Sequence, residues 1–178
     1  MPKPKLTRTQ LVGRFKNVKL LAMDVDGVLT DDTLYFGPDG FEMKRFHISD
    51  GLMMVLAMRA GLQLAVVSGR YSAATETRMR DLGIPHVLQG MKDKVAQITP
   101  LLAALQLSFA DIAFVGNEIL DITLAERAGL ALAVADASPH LVEVVDYVTA
   151  ARGGAGAVRE ILEAYFEAIG QEPRRYLV

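Results

Sequence analysis

The 178-residue chain has no cysteine, which excludes disulfides, thiolate zinc sites and cysteine nucleophiles. Its three histidines, His47, His86 and His140, are widely separated and form no metal site by spacing, so they read as structural or surface residues. No apolar run approaches the roughly 20 residues a membrane-spanning helix needs. Charge of one sign is equally scarce. The formal net charge is -2 and no basic block exceeds a few residues, which argues against a nucleic-acid module. Internal repeats and low-complexity tracts are absent. The first 17 residues, MPKPKLTRTQLVGRFKN, are basic but lack the continuous apolar core of a signal peptide, so a cytoplasmic protein is expected.

What is present describes an ordinary folded protein with a substantial core: 51% hydrophobic and 22% charged residues, at a length that suggests one domain. Short apolar runs at 19–23, 62–67, 86–88, 112–115, 130–134 and 145–148 read as strands. Between them, 51–60, 72–82, 91–106, 119–128, 138–144 and 155–168 read as helices, and Gly61, Gly83 and Gly129 fit as helix stop signals. This alternation predicts an α/β fold: a three-layer, Rossmann-like parallel sheet with helices on both faces. Residues 33–48, TLYFGPDGFEMKRFHI, break the rhythm and predict a β-hairpin inserted after the first strand. Tyr35 and Phe36 lie on one arm, Phe41 and Phe46 on the other, with Pro38 and Gly40 in the turn. Ligands of open α/β sheets bind at the carboxyl ends of the strands, so the hairpin is placed to act as a lid or interaction element.

The most telling segment is KLLAMDVDGVLTDD, residues 19–32. A buried strand ends in Asp24 and Asp26, which period-two geometry puts on one side of the chain. Two like charges held close call for a cation or a proton between them, and oxygen-only ligands suit a hard ion such as Mg²⁺. Later strand ends also carry polar groups. LQLAVV runs into Ser68, Gly69 and Arg70, where a small hydroxyl beside glycine lets the backbone approach an anion. QGMKDK places Lys92 and Lys94 at a helix start, where the dipole disfavours a cation. IAFV leads into Gly116, Asn117, Glu118 and then Asp121, a second oxygen-rich turn that also fits a simple helix cap.

In this order the motifs resemble the haloacid dehalogenase superfamily of phosphotransferases. DVDGVLTD, FHISDG, VVSGR, LGIPHVLQGMKDK, LALAVADASPHLVEVVDYVT and RGGAGAVRE together resemble its small-cap branch of 3-deoxy-D-manno-octulosonate 8-phosphate phosphatases, and of related nonulosonate 9-phosphate phosphatases, over about residues 18–168. The resemblance implies a single phosphatase domain over 1–178, with a tail over about 170–178 that composition reads as mobile. It also implies a Mg²⁺-dependent phosphatase of an acidic sugar phosphate with a place in lipopolysaccharide biosynthesis, and a homotetramer in which a neighbouring subunit covers each active site. Asp24 matches the nucleophile that forms an aspartyl-phosphate, and Asp26 the general acid and base whose backbone carbonyl ligates the metal. Ser68 and Gly69 match the phosphate-binding turn, and Lys94, rather than Lys92, matches the cation that steadies the transferring group. Arg70 and Arg78 match contacts to the sugar carboxylate. Asn117 stands where the family usually has a metal-ligating aspartate. Asp121 matches the acidic residue that supports the metal through water or orients Lys94. Two other readings are a non-catalytic, phosphatase-like oligomerisation module and a phospho-receiver domain. The intact Asp24, Asp26, Ser68 and Lys94 oppose the first, and DxDG followed by a hairpin opposes the second.

Overall fold

The computed structural model describes residues 2–177. Met1 and Val178, the ends of the expected 1–178 domain and 170–178 tail, lie outside the described residues. Strands β1 (Leu20–Met23), β4 (Gln63–Ser68), β5 (His86–Gln89), β6 (Ile112–Gly116), β7 (Leu130–Ala133) and β8 (Tyr147–Val148) form one sheet in the order β5-β4-β1-β6-β7-β8. Every neighbouring pair is parallel, with Leu20 of β1 opposite Gln63 on one side and Ile112 on the other. The strands between β1 and β4, β2 (Tyr35–Phe36) and β3 (Glu42–Met43), form the separate antiparallel hairpin that the sequence predicts.

Side chains that alternate along each strand feed two cores. Leu21, Met23, Leu64, Val66, Val115 and Leu132 enter the one shared with helices α1 (Arg8–Phe15), α2 (Ile48–Arg59), α3 (Ala73–Asp81) and α7 (Ala157–Ala168). Leu20, Ala22, Ala65, Val67, Phe114 and Ala131 enter the opposite core, under α4 (Lys94–Ala104), α5 (Ile122–Ala125) and α6 (Pro139–Val144). With both faces covered, the central strands need to be apolar throughout rather than alternating, as β1, β6 and β7 are. Among the described residues, no helix is long and apolar enough to cross a membrane.

Several elements differ from expectation for local reasons. Helix α1 lies in the basic segment that was read only as a non-signal N-terminus. Thr7 accepts from the Gln10 N–H while the Gln10 side chain reaches back to Thr7, a capping box that starts the helix, and Leu11 and Phe15 are buried. Helix α2 begins three residues before the expected 51. Helix α4 begins at Lys94 rather than 91 because Asp93 Oδ1 accepts from the Val95 and Ala96 N–H groups. The expected helix 119–128 is a 3-10 turn (Ile119–Asp121) followed by the single turn of α5. Gly61 and Gly83 adopt positive φ, as helix stops do, but Gly129 does not. Its reason is proximity: a Cβ there would lie 2.1 Å from the Ala110 carbonyl oxygen. The segment read as a tail carries a 3-10 turn, Pro173–Tyr176, whose Tyr176 ring lies 5.9 Å from Phe166, with Arg59 donating to the Tyr176 carbonyl.

Asp50 ties two elements together from inside the core. Its carboxylate accepts from the Arg159 N–H at 2.7 Å and the Gly156 N–H at 3.3 Å, capping α7 with a side chain of α2. Burial raises its pKa, against the lowering effect of those N–H groups. A carboxyl whose folded-state pKa exceeds its unfolded value of about 3.9 contributes stability below that value and loses it as pH rises through the folded value. Asp50→Asn keeps an acceptor for Arg159 and removes the titration. The urea midpoint of the unsubstituted protein relative to Asp50→Asn is therefore expected to be highest in acid and to fall as pH is raised toward neutrality; a difference constant over pH 4 to 7 would contradict this.

Candidate active site

The carboxyl ends of β1, β4, β5 and β6 converge beside the central strand, and the turns that follow them carry the candidate residues. Asp24 continues the β1 pairing, its N–H donating to the Val115 carbonyl at 3.0 Å. The chain then curls tightly, so that the Val25 carbonyl accepts from the N–H groups of Val28, Leu29 and Thr30. Gly27 sits in this curl with a φ of 82°, and a Cβ there would lie 1.9 Å from Asn117 Nδ2. The curl rests on backbone, since a Cβ at Gly153 would lie 1.7 Å from the Gly27 carbonyl oxygen.

Lys94 joins three of the strand ends. Its side chain is 2% exposed, and its ammonium lies 2.9 Å from Asp24 Oδ1 and 2.5 Å from Asp121 Oδ1. Burial acts to lower its pKa, but the charges of Asp24 and Asp121 outweigh that and raise it, so it remains an ammonium. Burial, with the Asp121 charge, pushes Asp24 up to about 7, against the opposing pull of Lys94. The acidic neighbour that acts on Asp24 is thus Asp121 across Lys94, rather than the Asp26 suggested by spacing. Asp24 Oδ1 also accepts from the Val25 N–H, which leaves Oδ2 uncommitted. Lys92 is exposed, outside this network.

Both oxygens of Asp121 are engaged. Oδ1 takes Lys94, and Oδ2 accepts from the Asn117 N–H at 2.8 Å and the Glu118 N–H at 3.0 Å. Its two oxygens thus orient Lys94 and the Asn117 turn. Gly116 makes room for it, since a Cβ there would lie 2.4 Å from Asp121 Oδ2. Glu118 turns outward and caps its own turn through the Ile119 N–H.

The site suits a hard cation. Asn117 is 6% exposed, and its Oδ1 is buried with no hydrogen-bond partner among the described residues, an orphaned acceptor beside the curl at Gly27. Asp32, which follows the curl, has its pKa raised by burial and, after that, by the charges of Asp26, Glu118, Asp136 and Asp31. No three His, Asp or Glu side chains converge as a metal cluster among the described residues, so any oxygen set must draw on Asn117 and the main chain.

The remaining predicted residues divide. Ser68 is buried, its Oγ donating to the Arg70 carbonyl and accepting from the Arg70 N–H in a tight turn, and a Cβ at Gly69 would lie 3.7 Å from the Lys92 Cα. Arg70 joins the site, with Nε 3.5 Å from Asp26 Oδ2, yet its fork is already filled by Glu42 at 2.8 and 2.9 Å. Arg78 makes no ion pair with Asp24, Asp26 or Asp121 among the described residues. It packs against Gly51 and lines a neighbouring cavity of about 630 Å³ between the hairpin and α3, with Phe41, Glu42 and Lys44. Sequence reasoning missed Glu42 and Lys44, whose side chains reach from the hairpin to Arg70 and Asp26. Their spacing of two in an extended segment put both on one face, which was the available signal.

A profile of the haloacid dehalogenase-like hydrolases matches residues 83–161. The 3-deoxy-D-manno-octulosonate 8-phosphate phosphatase of Escherichia coli strain K12 is 38% identical over 161 residues, covering 90% of this chain and 86% of that protein. The enzyme of that name from Moraxella catarrhalis, in complex with magnesium, phosphate and KDO, superposes with a TM-score of 0.87 at 34% identity, covering 90% of this chain and 92% of that one. The cobalt-bound deoxy-D-mannose-octulosonate 8-phosphate phosphatase of Haemophilus influenzae superposes with a TM-score of 0.84 at 35% identity, covering 88% and 92%. Similarity at this level along nearly the whole of both partners is that of family members: the chain belongs to the haloacid dehalogenase-like hydrolases, in the family of the 3-deoxy-D-manno-octulosonate 8-phosphate phosphatases.

Proposed function

We propose that the protein hydrolyses 3-deoxy-D-manno-octulosonate 8-phosphate through an aspartyl-phosphate on Asp24. The observation that carries this is the buried Lys94 bridge between Asp24 and Asp121, which engages Asp24 through Oδ1 and leaves Oδ2 uncommitted among the described residues. Oδ2 attacks phosphorus, the bond from phosphorus to the sugar oxygen breaks, and Asp26 gives its proton to the departing oxygen. Asp26 then takes a proton from the water that hydrolyses the acyl phosphate. Lys94, the Ser68 hydroxyl and the N–H groups of the turn at Gly69 receive the phosphoryl oxygens. Asp24, the Asp26 main-chain carbonyl and Asn117 Oδ1 are the oxygens that would hold Mg²⁺, with Asp121 setting the Asn117 turn. Bound there, Mg²⁺ offsets the repulsion between an anionic nucleophile and a phosphate dianion. Of the two arginines assigned to the sugar carboxylate, Arg78 has no ion pair among the described residues and is free to take it. Arg70 must first give up Glu42.

The octulosonate is preferred over a nonulosonate because the relatives described above are named for the eight-carbon substrate. The tetramer belongs to the same proposal and is supported by exposed apolar side chains: Phe36 and Phe41 of the hairpin are 64% and 66% exposed and Ile48 at the start of α2 is 81% exposed, a cost unless another surface covers them. Sedimentation at micromolar concentration should give the mass of four chains, and a monomer would refute that part.

Phosphate release from a panel of sugar-acid phosphates should be strongest with the octulosonate and abolished by chelation of Mg²⁺. Asp24→Asn should lower it by about a thousandfold or more, as expected for loss of a covalent nucleophile, with unchanged circular dichroism. Activity surviving that substitution refutes the nucleophile assignment, and a folded wild-type protein inactive on the whole panel refutes the phosphatase reading. The asparagine oxygen at 117 carries no full charge, so Asn117→Asp should lower the Mg²⁺ concentration giving half-maximal activity, on the order of tenfold. An unchanged requirement would exclude Asn117 as a determinant of metal affinity.

A further inference from the structure

We propose that Lys44 is a positioning residue for Asp26: the hairpin carries its ammonium to the floor of the crevice, where it fixes the carboxyl group that protonates the leaving oxygen. The proposal rests on the phosphatase reading above. The flanking residues of the ribbon are open to solvent, with Phe41 66% and Met43 48% exposed and the Arg45 side chain 65% exposed. A lysine in such a ribbon ordinarily extends its ammonium into water. The Lys44 side chain is instead 1% exposed, and its ammonium is paired with Asp26 Oδ1. An ammonium withdrawn this far from water is unfavourable without a close anion, so Asp26 is required by Lys44 as much as the reverse.

The ribbon is held at the right height by Glu42, two residues earlier. Its carboxylate takes both terminal nitrogens of Arg70 at 2.9 and 2.8 Å and the Ser72 hydroxyl at 3.2 Å, and Lys44 lies 3.8 Å from the same oxygen. The hydrogen bonds from Arg70, followed by its charge, keep the Glu42 pKa below the ordinary carboxylate range, although burial opposes them. Asp26 is therefore bracketed, with Lys44 at Oδ1 and Arg70 Nε 3.5 Å from Oδ2. A carboxyl with a cation at each oxygen has little freedom to turn, and general acid catalysis depends on that orientation. The two buried lysines thus divide the work: Lys94 serves the nucleophile and Lys44 the proton carrier. In the step concerned, Asp26 enters with its proton on Oδ2 while Oδ1 keeps Lys44; the electron pair of the breaking bond between phosphorus and sugar oxygen goes to that oxygen, which takes the Oδ2 proton. Asp26 is left as a carboxylate beside Lys44.

The test compares Lys44→Met and Lys44→Arg with the unsubstituted protein on 3-deoxy-D-manno-octulosonate 8-phosphate and on p-nitrophenyl phosphate. The nitrophenolate leaves without a proton, so kcat/KM for the aryl ester does not depend on how Asp26 is aimed. Lys44→Met should lower kcat/KM for the sugar phosphate by about 30-fold or more, a fraction of what general acid catalysis supplies, and for the aryl phosphate by less than about threefold. Lys44→Arg should recover most of the loss on the sugar phosphate. If Lys44→Met does not fold, as judged by circular dichroism, the ratio between the two substrates is read from Lys44→Gln. Equal losses on both substrates, or none on either, overturn the proposal while leaving the phosphatase reading intact. An unsubstituted protein inactive on both overturns the phosphatase reading, and this inference with it.

Discussion

A single buried ammonium determines how this crevice is built. Lys94 is at the first position of α4, where the helix dipole repels it, and has almost no contact with water. Such a charge persists only if anions are fixed around it. Asp24 comes from β1 and Asp121 from the turn after β6, so the one requirement locks the ends of strands that are far apart in sequence. Asp121 in turn bends back onto the Asn117 and Glu118 N–H groups, which replaces the first turn of the expected helix with 3-10 geometry. Gly116 lacks a side chain because Asp121 occupies the space.

The sheet was legible because both faces are covered, so each strand reads as an uninterrupted apolar run bounded by polar residues. The site was legible for the same reason: where buried strands stop, the next residue is at the edge of the crevice, and Asp24, Ser68 and Asn117 all stand there. Helix α1 carries its own signal in Thr7 and Gln10, but basic neighbours made the segment look like a solvated terminus. What local pattern could not supply was which charge meets which. Spacing paired Asp24 with Asp26, whereas the fold sets Asp24 against Asp121, ninety-seven positions away by number, and sets Asp26 against the hairpin. Glu42 and Lys44 escaped because a short ribbon does not declare which surface it will lie on.

The arrangement also separates two electrostatic environments within one small crevice. Around Asp24 the surroundings are dry, and the charges are one ammonium and two carboxylates. Around Asp26, which is partly open to water, the nearest charges are cationic, with Lys44 reaching in from the hairpin and Arg70 from the turn after β4. One fold can therefore ask different chemistry of two aspartates that are nearly adjacent in the chain.

The contact of Gly153 with the Gly27 carbonyl joins main chain to main chain. Side chains can repack around a disturbance, but two touching backbones have no such slack. The curl at Gly27 and the turn that leads into α7 are therefore packed as one piece, held further by the Gly154 N–H on the Val28 carbonyl and by Asp50 beneath α7. A chain cut after β8 would lose more than a helix from its outer layer. It would keep every proposed catalytic side chain and yet lose the surface against which the nucleophile's loop is shaped.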